Sequence, residues 1–556
     1  MRKLSEYLHK TMALAIAMML VCTVCACGGD SGTTSSQSGS KAAGDTSTAG
    51  TAGATEAAAG TTADEGTTYK DVINIAVNQE SPTLDLQKTG TLVARHIANG
   101  TIYEKLMTLN GAGEPVPELC ESVDVNEDSS EFVFHLRQGV KFHDGSEMTA
   151  EDVVASMNRW IENFANARAL TGDSRFEMVD DYTCKITLAN SCATFLTAIS
   201  GGTQPAAITT AEACEEENES GYLVNYIGTG PYKFENWELN QYITLTKFED
   251  YQPYGDENEP LDGLSGYKHA YAEKLVYYYV PDEATRLAGL QTGQYDIMFN
   301  LSADNYDVVN NMEGLTTQKA QDGILVMVCN KKEGPMSNPV LRQAINAQLN
   351  CEELLAAGYG SFYSLGSCYM DEAQGAWVTE AGSSNYNMDD SEKAKELLKE
   401  AGYDGETVKV MVPNIGGFTK TAEMFRQQME EIGVNVELNI VDFATSTELK
   451  NDSTVWDLWL ISFSSVPLPS QKTFVSPTYA GWSVDDTLTG YLNDFNTAAT
   501  LDEAKATWEA MQAYCLEDYL PALMLGHYES SIGYSEKLEG LQYYMGAYFW
   551  NARVAE

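Results

Sequence analysis

EFVFHLRQGVKFHDGSEMTAEDVVASMNRWI, residues 131–161, is the stretch on which the fold of this 556-residue chain turns. Phe132, Phe134 and Leu136 alternate with Val133, His135 and Arg137, the period of a strand that buries one face. Gly139 permits a turn, Val140 and Phe142 resume the alternation, and Asp144-Gly145 makes a second turn in which glycine supplies the positive φ. A helix follows. Thr149 stands at its N-cap, Glu151 and Asp152 suit the positive end of its dipole, and Val153, Met157, Trp160 and Ile161 form one apolar stripe. His143 reads as a structural histidine of the turn rather than as a ligand group.

This run resembles the signature region of the family 5 extracellular solute-binding proteins, the receptors of ABC importers for peptides, glutathione and nickel. The family pattern is a strand, then L-R-x-G-V-x-F-H-D-G, then T-A-x-D-V-x-x-S, and every letter is present from Leu136 through Ser156. Working outward, Val72–Val77 reads as an edge-forming strand, followed by SPTLDL from Ser81, where Leu86 replaces the proline of the family's T-L-D-P. IYEKLMTLNGAGEPVPELCES, from Ile102, is similar to the next family block: a helix, a short hairpin and a P-x-L-A-x-S element with Cys120 in place of alanine. GTGPYKFENWELNQYITLTKFEDY, from Gly228, resembles its glycine-rich turn and a two-strand hairpin around Asn240. From Val280, a helical face over Glu283 to Leu290, a capping Gly293 and a buried strand from Tyr295 to Met298 complete a first lobe.

The second lobe is legible in plainer terms. Ser391–Ala401 is a charged helix with Ala394, Leu397, Leu398 and Ala401 inward, ended by Gly402. Val408, Val410 and Val412 alternate as a strand, Phe425, Met429 and Ile432 mark a helix ended by Gly433, and Val434, Val436, Leu438 and Ile440 alternate again, a β-α-β unit with parallel strands. A last helix starts at Thr500, which makes a capping box with Glu503; Ala504, Trp508, Met511 and Cys515 face inward and Pro521 follows its end. The resemblance implies an α/β, two-lobed periplasmic-binding-protein-like fold of type II with an extra subdomain, its lobes joined by a hinge. It divides the chain into a signal peptide (residues 1–26), a lipid-anchored cysteine and flexible linker (27–70), a first lobe (71–315) with an inserted subdomain at about 101–215, a second lobe (316–525) and a return to the first lobe (526–556).

The N-terminus gives the address independently. Arg2 and Lys3 precede an apolar run, MALAIAMMLVCTV at residues 12–24, that is shorter than the ~20 residues of a membrane span and reads as a signal peptide. Val24-Cys25-Ala26-Cys27 resembles a lipobox, in which Cys27 is diacylated and becomes the mature N-terminus. Residues 28–68 are almost wholly Gly, Ser, Thr, Ala, Asp and Glu, a composition that buries no core and behaves as a tether. Two acyl chains hold such a tether firmly. The expected location is therefore the outer face of the cell membrane, periplasmic in a cell with an outer membrane.

A formal charge of −46, from 80 acidic and 34 basic residues, argues against nucleic acid as a partner. Of 11 cysteines, Cys120, Cys184, Cys192, Cys214, Cys329, Cys351, Cys368 and Cys515 lie in the folded part. None forms a C-x-x-C pair, and an export route permits disulfides, for which Cys184 and Cys192 are the nearest candidates. No G-x-S-x-G elbow, H-E-x-x-H, P-loop or EF-hand pattern is present, so the sequence points to a binding protein without cofactor or metal rather than to an enzyme.

Specificity should lie at the lobe edges, where this chain departs from its relatives. Peptide-binding members carry W-x-x-D-x-x-D-P-x-x-F, whose first aspartate pairs with the peptide α-ammonium. Here the stretch is FSSVPLPSQKTF: Phe463 replaces the tryptophan, Val466 the aspartate and Leu468 the second aspartate. A basic residue that follows a V-P dipeptide in dipeptide binders is likewise missing, since Val412-Pro413 is followed by Asn414. Phe463, Ser464, Ser465, Val466, Asn414 and Trp459 are the candidate ligand-binding residues; Trp456 and Trp459 have opposite parity, so at most one faces the cleft. The expected role is capture of a peptide-class solute for an ABC permease by a monomer. Oligosaccharides or metal chelates are alternative ligands, and a signalling receptor an alternative role.

Overall fold

The computed structural model describes residues 67–556; the signal segment, Cys27 and most of the tether lie outside the described residues. Two strands of unusual length organise the rest. Leu315–Cys329 and Ala522–Ser535 pair antiparallel along their whole lengths at the centre of an 11-stranded mixed sheet. Beyond Leu315–Cys329 lie Leu458–Ser464, Val408–Pro413 and Val436–Val441, which belong to the second lobe; beyond Ala522–Ser535 lie Ile297–Phe299, Val72–Val77, Lys274–Tyr279 and the hairpin Tyr242–Lys247 with Tyr232–Glu238, which belong to the first. The chain thus crosses between lobes on one hydrogen-bonded ladder, which is the hinge. Each lobe has its own apolar cluster, around Val326, Trp508 and Phe425 in the second and around Ile75, Leu245 and Phe549 in the first.

The strand read as edge-forming is internal. Val72–Val77 runs parallel to both Lys274–Tyr279 and Ile297–Phe299, because the late-arriving Ile297–Phe299 inserts between it and the crossing strands. The helix expected from Ile102 is absent. The carbonyls of Thr101 and Ile102 instead accept the N–H groups of Tyr232 and Gly230 (3.1 and 3.0 Å). Gly228 and Gly230 lie so close to that backbone that a Cβ at either would overlap a carbonyl oxygen, of Ile102 or Thr101 respectively. The glycines of GTGP are therefore a packing device. The β-α-β unit forms with parallel strands as read, although Ile440, on the edge strand, is exposed.

The stretch 131–161 forms the strand Glu131–Leu136 and the helix Ala150–Asn163 of a separate antiparallel sheet, ordered Cys120–Val125, Glu131–Leu136, Thr183–Thr187 and Phe176–Asp180. Phe132, Phe134 and Leu136 are buried with Met157, Trp160 and Ile161 in a cluster of their own. Asp152 accepts from the Thr149 N–H at 3.0 Å and from its hydroxyl at 3.1 Å, fixing the helix start. Val140 and Phe142 are buried, but in a tight turn closed by Phe142 N–H to Ser146 O rather than in a strand. All eight cysteines of the folded part are free thiols, Cys184 and Cys192 included; Cys184 is fully buried on its strand opposite Phe134.

His143 joins this subdomain to the GTGP turn. Its Nδ1 accepts from the Gly228 N–H (3.2 Å), so Nε2 carries the hydrogen that is donated to Gly230 O (3.0 Å). Burial holds its pKa down at about 4, and His96, buried beside Arg95, is held at about 3. A histidine depressed in the folded state binds fewer protons than in the unfolded chain, so stability is lost as pH falls from about 6.5 towards 4. Urea midpoints measured across this window should fall less steeply with acid for His143→Gln than for the parent; identical slopes would mean that His143 protonates freely.

Candidate functional site

The strand Leu458–Ser464 leaves the sheet at its C-terminal end, and the chain then folds through Pro467 and two short 3₁₀ turns, Pro469–Gln471 and Thr473–Val475. Opposite it, in the first lobe, Gly201 to Gln204 follow the helix Phe195–Ser200. Pro467 packs on Gly201 with no room for a side chain there, and the Thr203 hydroxyl donates to Ser465 O at 2.7 Å. Further bonds close the lobes on one another: Tyr544 hydroxyl to Ala373 O (2.8 Å), Ser129 hydroxyl to Ala499 O (2.9 Å) and Ala193 N–H to Ala498 O (2.9 Å). Between them lies a cavity of about 180 Å³ walled by Asn166, Thr203 and Gln204 on one side and by Phe463, Ser464, Val466 and Lys472 on the other. That is smaller than the roughly 300–1,000 Å³ of most ligand pockets.

Phe463, Ser464 and Val466 are thus brought together in the cleft wall. Ser465, on the opposite face of the chain, is buried; its hydroxyl donates to Asp371 Oδ2 at 2.6 Å. Trp459 sits in the second-lobe core, 3% exposed, its indole N–H donated to Ser446 Oγ at 3.0 Å and its ring stacked on Tyr479. Trp456 is buried as well, stacked on Trp482, so neither tryptophan faces the cleft. Asn414 is exposed just past the strand Val408–Pro413 and does not line the cavity. The reason is geometric: a strand of a central sheet packed on both faces hides both parities, and only its end reaches the cleft.

Of the charged groups near the cleft, Lys472, within the stretch 463–474, lines the cavity, whereas Asp322, Asp371 and Arg95, from outside that stretch, stand near one another without lining it. Leu315–Cys329 carries a β-bulge in which Gln321 pairs with Glu529 and Gly323 with Tyr528, so Asp322 is squeezed out of the ladder. Its backbone carbonyl accepts from Ser465 N–H (3.2 Å) and the Tyr528 hydroxyl (3.0 Å). Burial raises its carboxyl to about 6, with Arg95 opposing that shift and Asp371 adding to it. Asp371 and Lys472 are fully buried on the second-lobe side, and Arg95 is buried on the first-lobe side. Burial also holds the Lys472 ammonium below its ordinary value. The sequence offered one signal for this group, an Asp-Gly inside a strand, which marks a bulge; nothing local marked Asp371.

Comparison with known proteins agrees with this geometry. The pattern of the bacterial extracellular solute-binding proteins, family 5, matches residues 114–485. The chain is 28% identical over 483 residues to a probable peptide ABC transporter periplasmic-binding protein, y4tO, of Sinorhizobium fredii, covering 82% of this chain and 88% of that one. It is 26% identical over 381 residues to the glutathione-binding protein GsiB of Salmonella paratyphi A, covering 67% and 70%. Among solved structures, the ABC transporter substrate-binding protein CtaP of Listeria monocytogenes superposes with a TM-score of 0.72 at 20% identity, covering 85% of this chain and 96% of that one. A two-lobed α/β frame, a two-strand hinge and a family match across two-thirds of the sequence lead to one conclusion: the chain belongs to the family 5 bacterial extracellular solute-binding proteins.

Proposed function

We propose that this protein is the extracellular receptor of an ABC importer, capturing a peptide-class solute between its lobes and presenting the closed form to the permease. The observation that carries this reading is the cleft: a cavity walled by both lobes beside the two continuous strands that join them. Closure is driven by contacts that exist only when both lobes touch the ligand. The relatives named for peptide transport and glutathione binding support the ligand class. The family is one of solute-binding proteins, and no helix among the described residues is long and apolar enough to cross a membrane. The protein acts as a monomer without catalysis, divided into lobes at residues 71–315, 316–525 and 526–556, and is held to the membrane by acylated Cys27.

A ligand that binds only the folded form at one hundred times its Kd stabilises it by about 2.7 kcal/mol. A mixed tripeptide library should therefore raise the melting temperature; a rise with maltotriose but not with the library would replace the peptide reading by an oligosaccharide one. Cys27→Ala is expected to move the protein from the membrane fraction to the soluble fraction. Unchanged membrane retention would remove the lipid anchor from the account.

A further inference from the structure

Buried carboxylates elsewhere in the molecule have their partners. Asp85 has Arg159, Glu104 and Glu118 share Lys268, Asp296 has Lys70, and Asp457 accepts the Lys409 backbone N–H at 2.8 Å. Asp371 differs from these in having a buried oxygen with no partner. It is 0% exposed and forms no ion pair among the described residues; Ser465 holds its Oδ2, while Oδ1 has no hydrogen-bond partner. Asp322, expelled from its ladder by the bulge, approaches the same place and also lacks an ion pair. Across the cleft Arg95, 5% exposed, is in a matching condition: Nε has no partner, and Nη1 reaches only the Thr203 hydroxyl, at 3.4 Å. Lys472 lies on the second-lobe side with its ammonium donating to Ser464 O at 3.3 Å, without a carboxylate in ion-pair contact. Unpaired buried charges of both signs are costly, and a fold that keeps them beside its inter-lobe cavity, where Arg95 touches the wall residue Thr203, is built for a ligand that completes them once the lobes part.

We propose that the hinge end of the cleft recognises a dipolar ligand, with Asp371 and Asp322 receiving its ammonium group and Arg95, from the opposite lobe, receiving its carboxylate. This rests on the peptide-class reading and adds to it the requirement for a free amino group. The motif position occupied by Val466 is uncharged, and the anionic function is supplied from the hinge bulge and from the segment that opens at Asp371. Because the anionic pair sits at the hinge and second lobe and the guanidinium on the first lobe, a dipolar ligand bridges the lobes, and its binding is coupled to closure.

Calorimetric titration of the parent, Asp371→Asn and Asp322→Asn with a tripeptide library, in free and N-acetylated forms, tests this. Asparagine preserves shape and the acceptor for Ser465, and the unchanged melting temperature of each variant is read alongside. N-acetylation should weaken binding to the parent at least about 30-fold, the effect of unpairing a buried charge. Asp371→Asn should lose a similar factor with the free library and show little further loss on N-acetylation. Asp322→Asn should fall in the same direction. Equal affinity of the parent for free and acetylated peptides would overturn the inference while leaving the peptide reading in place. Saturable binding of maltotriose, with no heat from either peptide form, would overturn both.

Discussion

Arg159→Met is expected to lower stability by about 3–5 kcal/mol, the cost of stranding one member of a buried ion pair. Arg159 projects from the helix of the stretch 131–161 and holds Asp85, the aspartate of SPTLDL, through Nη1 at 3.0 Å and Nη2 at 2.7 Å. Asp85 is wholly buried and also accepts the backbone N–H groups of Gln87 and Leu223, both at 3.1 Å. The guanidinium further bonds Gln87 Oε1 and Glu217, so one side chain ties the subdomain helix to two loops. Glu217 is more exposed and can rehydrate, whereas Asp85 cannot. Chemical unfolding monitored by circular dichroism should show the loss as an earlier transition at unchanged slope. A change under 1 kcal/mol would mean that Asp85 is satisfied by backbone N–H groups alone.

Lys268→Met should cost as much at neutral pH, for a related reason with a different pH signature. The Lys268 ammonium, 3% exposed, lies 2.5 Å from Glu118 and 3.3 Å from Glu104, and above the Trp550 ring at 4.8 Å. Burial raises the Glu104 carboxyl and Lys268 opposes that; for Glu118, burial is outweighed by Lys268 and Lys105, which leave its carboxyl below the ordinary value. Without the lysine, two buried carboxylates confront each other and both affinities for protons rise. The folded variant then binds more protons than its unfolded chain, so its deficit is present at pH 7 and shrinks as pH falls towards the ordinary carboxylate range near 4.5. Melting temperatures from pH 7 to 5 should converge on the parent's. A constant deficit would place the effect in lost packing against Trp550 instead.

How much of this was legible in the sequence follows from the range of the forces involved. Phe132, Phe134 and Leu136, the Thr149 and Thr500 helix starts, Gly402 and the Val408–Pro413 strand were readable because periodicity, caps and glycine turns are decided within a few residues. The internal position of Val72–Val77 was not, since its second neighbour, Ile297–Phe299, is set by pairing more than two hundred residues away. The missing helix at Ile102 failed for the same reason: its carbonyls are claimed by Gly230 and Tyr232. The alignment of FSSVPLPSQKTF pointed to Phe463, Ser464 and Val466, which line the cavity, but it could not see that Asp371 and Asp322 come together near it. A charge lost from one motif is invisible as a gain elsewhere until the chain is folded, and Trp459 was misplaced because strand parity says nothing about a sheet covered on both faces.

Native mass spectrometry of the protein purified from its own cells tests capture of a peptide-class solute most directly. The expected result is one non-covalent adduct per chain, released on activation and fragmenting through losses of amino-acid residues. An adduct that fragments through losses of hexose units, or that carries a metal isotope pattern, would contradict the account.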